Sequence, residues 1–207
     1  MSARVYTGAS QSGMISEVSL GVTMPEDIAR DVSRRGEVRR ADKLMTQDEL
    51  KGFLARAFCG RTATIGRDGY PYVVPNLFVW MDERIYLHTT CVPGHFLANV
   101  EFSDRVCFEV DAPGDTFPYG PVECDTSIAY RSAVVFGRIR IETDPEMRRR
   151  FFAAFMSKYA PPDSWGRVQG SFPRIESTIV YSILPEIMTG KQTPLPSAQK
   201  RWVPPSV

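Results

Sequence analysis

Only two histidines and four cysteines occur in 207 residues, and neither set has the spacing of a metal site or a disulfide framework. Cys59, Cys91, Cys107 and Cys124 are too irregular for a zinc ribbon and too few to staple a chain of this length, which fits a reducing compartment. Long apolar runs are also missing. No stretch approaches the ~20 residues that span a bilayer, and the first 35 residues hold no apolar core of signal-peptide length. The expected location is therefore the cytoplasm, with no membrane partner. Nor is there an excess of either charge: 25 basic against 24 acidic side chains leave +1, so no general field draws in nucleic acid. The densest basic cluster, Arg34, Arg35, Arg39 and Arg40, has no interleaved aromatics to stack on bases. Walker and dinucleotide glycine loops, GxSxG, HExxH and paired CxxC are all absent, which leaves the common enzyme classes without support.

What is present is enough apolar material for one core. Residues 1–40, rich in Ser, Gly and Arg, read as an arm; 41–191 form the domain, and 192–207 a proline-bearing tail. Thr46 with Glu49 makes a capping box, and Leu50, Phe53, Leu54, Ala57 and Phe58 follow at helical spacing. Arg61–Arg67 and Tyr70–Met81 read as strands joined at Asp68-Gly69, and Asp82-Glu83 turns the chain into a third strand, Arg84–Thr90. Pro93-Gly94 opens a short helix to Phe102, and Arg105–Val110 is again a strand. Ala112–Asp125, with three prolines and two glycines, reads as a long loop. Thr126–Glu142 is a long strand bent at Gly137. Asp144-Pro145 starts a helix with Met147, Phe151, Phe152, Phe155, Met156 and Tyr159 on its buried stripe, stopped by Pro161-Pro162. Thr178–Leu184 is the last strand. This order lacks βαβ alternation and points to a mainly β fold, an antiparallel barrel with a few flanking helices.

The two histidines, His88 and His95, lie seven residues apart around a strand-to-helix corner. There the Thr89 and Thr90 hydroxyls, the free amides after Pro93 and the His95 ring would converge on one small volume. Such a corner suits a phosphate, because helix amides carry partial positive charge, hydroxyls donate, and a nearby anion favours protonated histidine. The same corner also reads as an ordinary turn, and His88 as a hydrogen-bonded barrel residue. A zinc site at His88, Cys91 and His95 lacks a fourth clustered ligand.

Four ordered blocks carry a wider likeness: Gly69-Tyr-Pro-Tyr-Val-Val-Pro75, Ile85-Tyr-Leu-His-Thr-Thr90 with Gly94-His95, Val106-Cys-Phe-Glu-Val110, and Tyr130-Arg-Ser-Ala-Val-Val-Phe-Gly137. From about Arg39 to Lys191 the chain resembles the pyridoxamine 5′-phosphate oxidase-like split barrels, above all the branch with nitroimidazole-resistance proteins. The resemblance implies a homodimer of split β-barrels holding FMN between subunits, with its phosphate at Thr89, Thr90, Gly94 and His95. It implies that Val73, Val74, Pro75 and Asn76 run along the flavin ring, and that Tyr130, Arg131 and Ser132 approach the same groove. His95 stands where relatives commonly carry lysine or arginine, so either flavin affinity is lower than in relatives or Arg131 compensates with a bidentate grip on the phosphate. The implied function is an FMN-dependent oxidoreductase, a nitroreductase or flavin reductase acting on a small-molecule substrate with NAD(P)H, with His88 as the candidate catalytic proton donor. The alternative is a flavin- or haem-binding storage or sensor protein, since the family also has haem-binding and deazaflavin-binding members.

Overall fold

The computed structural model describes residues 37–160 and 172–203. The arm up to residue 36 and the Pro161-Pro162 stop lie outside them. Strand β1 (Gly60–Ile65) pairs antiparallel with β2 (Pro71–Asn76) through the turn at Asp68-Gly69, where Gly69 takes φ +81°. The remaining elements are β3 (Phe78–Met81), β4 (Arg84–Thr90), β5 (Arg105–Pro118), β6 (Thr126–Ile141) and β7 (Thr178–Thr193), with helices α1 (Gln47–Arg56), α2 (His95–Phe102) and α3 (Pro145–Tyr159).

The seven strands form one antiparallel sheet in the order β2-β1-β5-β6-β7-β4-β3. Its two outermost strands, β2 and β3, are separated in sequence by Leu77 alone. A sheet whose far edges are joined by one residue has to curl until they meet, which makes the fold mainly β and split-barrel-like. The sequence-based strand Tyr70–Met81 is thus two strands, one pairing with β1 and the other with β4. Local alternation cannot reveal this break, because both halves are equally strand-like.

Two further expectations are corrected. The loop expected over Ala112–Asp125 is largely strand: β5 continues to Pro118, paired with β6 across a register shift between Pro113 and Thr116. In this ribbon β5 pairs with β6 alone, so prolines facing the free side cost no ladder bond. The last strand runs on from Leu184 to Thr193 because Pro185 falls at a bulge, where β7 shifts register opposite Phe136 and Gly137. A Cβ at Gly137 would collide with the Leu184 carbonyl oxygen, so the close approach needs glycine.

The three helix starts read from the sequence are present, two of them with side-chain caps. The Thr46–Glu49 capping box forms in full, and Asp144 caps Glu146 N–H with Pro145 at the first position. Leu50, Phe53 and Leu54 of α1 enter a core with Phe78, Leu87, Phe108, Val135 and Ile183. Phe151 of α3 closes a second cluster with Val79, Tyr86 and Val180 on the outside of the barrel.

Candidate functional site

The site begins with an unpaired strand edge. Along β2, Pro71, Val73 and Pro75 stand opposite Ile65, Ala63 and Arg61. Antiparallel pairs alternate between hydrogen-bonded and non-bonded, and prolines at both ends of this set fix it as the non-bonded phase. The Val73 N–H and C=O therefore point away from β1, toward the sheet edge where β2 has no further neighbour. Val73 is 55% exposed. At the strand's end the buried Asn76 accepts from the Thr62 hydroxyl at 2.8 Å through Oδ1, which leaves its Nδ2 donor for another partner.

Helix α2 brings the second part. Its cap residue, Gly94, provides no side-chain oxygen, so the first-turn amides keep their donors free. His95 is exposed at the first position, with its ring edge-on to Tyr72 of β2, centroids 5.5 Å apart. One turn on, Asn99 donates to Thr64 at 3.0 Å and pins α2 to β1. His95, Asn99, Tyr72 and the Gly66–Asp68 turn line a cleft of about 250 Å³. Thr90 is exposed at the end of β4, but the Thr89 hydroxyl turns toward the Tyr181 phenol, 3.2 Å away, and the Thr90 carbonyl. Tyr72, His95 and Asn99 thus flank one open corner, with Gly94 adjoining it in the chain and the Thr89 hydroxyl turned toward Tyr181 instead.

His88 is elsewhere. Strand alternation turns it with Tyr86 toward α3, and its ring lies 4.9 to 5.8 Å from those of Phe151, Phe152 and Phe155. Burial holds its pKa below the usual histidine value, and its buried Nδ1 has no hydrogen-bond partner among the described residues. The structure gives this ring a packing environment on the face of β4 opposite Leu87 and Thr89. A proton donor beside the corner is not what this placement offers.

Tyr130, Arg131 and Ser132 are also apart from the corner. The row Val73, Ala63, Cys107, Phe136 crosses four strands, and Arg131 lies five residues further along β6. That is roughly 16 Å along one direction and about 14 Å across the other. Within one chain Arg131 cannot share a phosphate with His95. Its guanidinium lies 5.1 Å from the centre of the Phe53 ring instead.

A family model described as pyridoxamine 5′-phosphate oxidase matches residues 29–192. The chain belongs to the pyridoxamine 5′-phosphate oxidase family. Among solved structures, a flavocytochrome of Azotobacter vinelandii superimposes with a TM-score of 0.66 at 21% identity, over 80% of this chain and 78% of that one. A FAD- and haem-binding protein of Mycobacterium smegmatis gives 0.62 at 18% identity, over 76% and 78%. A protein assigned to 5-nitroimidazole antibiotic resistance in Bacteroides thetaiotaomicron gives 0.60 at 21% identity, over 72% and 85%. At such identities the likeness concerns the fold. No curated protein matches the sequence. No helix among the described residues is long and apolar enough to cross a membrane.

In this family member the sequence reading missed the residues that tie the end of α3 to the start of β3 and to Phe58 ahead of β1. The Tyr159 phenol accepts from Phe78 N–H at 3.1 Å and reaches the Phe58 and Phe78 carbonyls at 2.7 and 2.8 Å. Lys158 donates to the Phe78 carbonyl at 3.0 Å, and burial pushes its pKa down to about 8. The only trace in the sequence was Tyr159 at the end of an apolar stripe, which shows burial but no partner.

Proposed function

We propose that this protein binds FMN along the open edge of β2 and works as a flavin-dependent oxidoreductase on a small-molecule substrate. The observation that carries the reading is the outward-facing Val73 N–H and C=O beside the uncapped start of α2. A flavin offers a ring edge that alternates donors and acceptors, which an unpaired strand edge can match, and a phosphate suited to free helix amides. The residues that would hold it are Val73, Val74, Pro75 and Asn76 for the ring, and Thr90, Gly94 and His95 for the phosphate. Bound FMN supplies hydride and single-electron transfer, while the protein contributes placement and electrostatics. Asn76, held by Thr62, presents its Nδ2 as a fixed donor at the ring end. The exposed Ile65 and Val73, at 42% and 55%, support a second copy of the chain covering this groove, and a nicotinamide nucleotide as the electron source completes the proposal.

The test is Val73→Pro in the full chain. It removes one outward N–H at a position that β1 does not use, so the ladder survives. FMN affinity should fall about tenfold, the effect of one hydrogen bond of roughly 1–1.5 kcal/mol, with thermal stability nearly unchanged. Unchanged affinity contradicts the placement. Bound flavin that neither NADH nor NADPH bleaches under anaerobic conditions would remove the oxidoreductase part and leave a flavin-binding protein.

A further inference from the structure

The cleft of about 250 Å³ between α2 and the β1–β2 turn has features that the flavin corner does not use. Tyr72 stands opposite Thr64 in the β1–β2 ladder, so both side chains lie on one face of the sheet, where Asn99 of α2 donates to the Thr64 hydroxyl at 3.0 Å. Two residues on from Thr64, Gly66 turns to the same face. A Cβ on Gly66 would stand 2.7 Å from Asp68 Oδ1 and 3.3 Å from Asn99 Oδ1. The glycine thus leaves a hollow with an oxygen acceptor on either side.

Both acceptors have capacity to spare. Asn99 spends its Nδ2 on Thr64, which leaves Oδ1 to the hollow. Asp68 Oδ1 accepts from Tyr70 N–H at 3.1 Å, and among the described residues no cation pairs with the carboxylate. The neighbouring Arg67 lies instead over the Phe102 ring, 5.1 Å from its centre, and so ties the turn to the far end of α2. Tyr70 and Tyr72, 75% and 38% exposed, add aromatic walls.

A carboxylate and an amide oxygen around one hollow suit a group with paired O–H donors, whereas the uncapped start of α2 beside them suits an anion. A nucleotide carries both next to each other, together with a planar base that can face a tyrosine ring, and a carboxylate accepting from ribose hydroxyls is a general way to hold its sugar. At about 250 Å³ the cleft is smaller than the roughly 300–1,000 Å³ that encloses a whole small ligand, which fits one end of a longer molecule. We infer that the hollow at Gly66 binds the ribose of a second nucleotide unit, so that the protein takes a dinucleotide, with Asp68 and Asn99 accepting from the diol and Tyr70 beside the base. The first unit rests on the flavin reading; the hollow does not. The second is the adenylyl half either of the flavin itself or of the nicotinamide dinucleotide.

The probe is AMP, titrated calorimetrically into the full-length, flavin-free protein beside 2′,3′-dideoxy-AMP, which keeps base and phosphate but has no diol. AMP should bind at least about tenfold more tightly, as expected for hydrogen bonds to a charged acceptor. Asp68→Asn retains an oxygen for Tyr70 N–H and should abolish most of that preference. Gly66→Ala, whose methyl would occupy the hollow, should weaken AMP at least as much. FAD binding at least about tenfold more tightly than FMN, with the gain lost in Asp68→Asn, assigns the unit to the flavin. Equal affinities for FAD and FMN, with NADH binding to the FMN-loaded protein weakened by Asp68→Asn, assign it to the electron donor. AMP that does not bind, that binds no better than its dideoxy analogue, or that ignores Asp68→Asn would overturn the inference. FMN that fails to bind where AMP succeeds would count against the flavin reading alone.

Discussion

The chain's two histidines, seven residues apart, occupy opposite kinds of place. His95 begins a helix whose first amides are uncapped, beside a strand edge with no neighbour, and its ring is exposed. His88 lies under α3 among three phenylalanines, with an Nδ1 that has no partner among the described residues. What separates them is the element that carries each one and the helix packed beside it, because Tyr86 and His88 of β4 turn to α3 whereas His95 begins α2. The α3 side is closed and holds the barrel together, whereas the α2 side is open and has donors to spare. Closeness in sequence to a binding corner is thus weak evidence for a catalytic role.

The contrast can be broken most sharply on the closed side. Phe151 is fully buried against Tyr86, His88, Phe152 and Phe155. Phe151→Ala should cost about 3–5 kcal/mol in denaturant unfolding while FMN affinity of the folded fraction is retained. A fall in affinity as large as the fall in stability would mean the two sides are coupled.

His88→Leu sharpens the comparison. It removes a buried polar atom that has no partner, so stability near neutral pH should stay within about 1 kcal/mol of the parent or rise slightly. The pH dependence carries a definite sign. Because burial lowers the folded-state pKa, the unfolded chain binds the proton first as pH falls below the ordinary histidine value of about 6.5, and stability is lost there. The leucine variant should lack that acid-side loss in unfolding curves between about pH 5 and 7.

A third variant concerns Lys158, which donates to the Phe78 carbonyl at the start of β3. Its folded pKa of about 8 lies below the ordinary lysine value. Between those values the unfolded chain holds the proton and the folded one does not, so stability should rise with pH from about 8 toward 10. At still higher pH the Tyr86, Tyr159 and Tyr181 phenols, all raised mainly by burial, act in the opposite sense. Lys158→Met should flatten the rise, and an unchanged slope would assign it to another group.

Features written in local chemistry were legible in the sequence. The Thr46–Glu49 box, the Asp144-Pro145 start and the Asp68-Gly69 turn are each decided within four residues, and all three stand as read. Features decided by distant partners were not. Leu77 separates two strands because the sheet closes on itself, and Pro113, Pro118 and Pro185 sit in strands because a ribbon or a bulge excuses the missing N–H. At the site, the corner of β2 with Gly94 and His95 was visible as residue types. The inward turn of Thr89, the phenylalanine cage around His88 and the distance to Arg131 required knowing which face of each strand meets which helix.

The central claim is that the open corner of β2 and α2 takes a flavin phosphate, and its most direct test is a fluorescence titration of the full chain with FMN and with riboflavin. The account predicts saturable quenching with FMN and at least about tenfold weaker binding of riboflavin, which lacks the phosphate that the α2 amides and His95 would hold. Equal affinity for the two, or no binding of either, would contradict it.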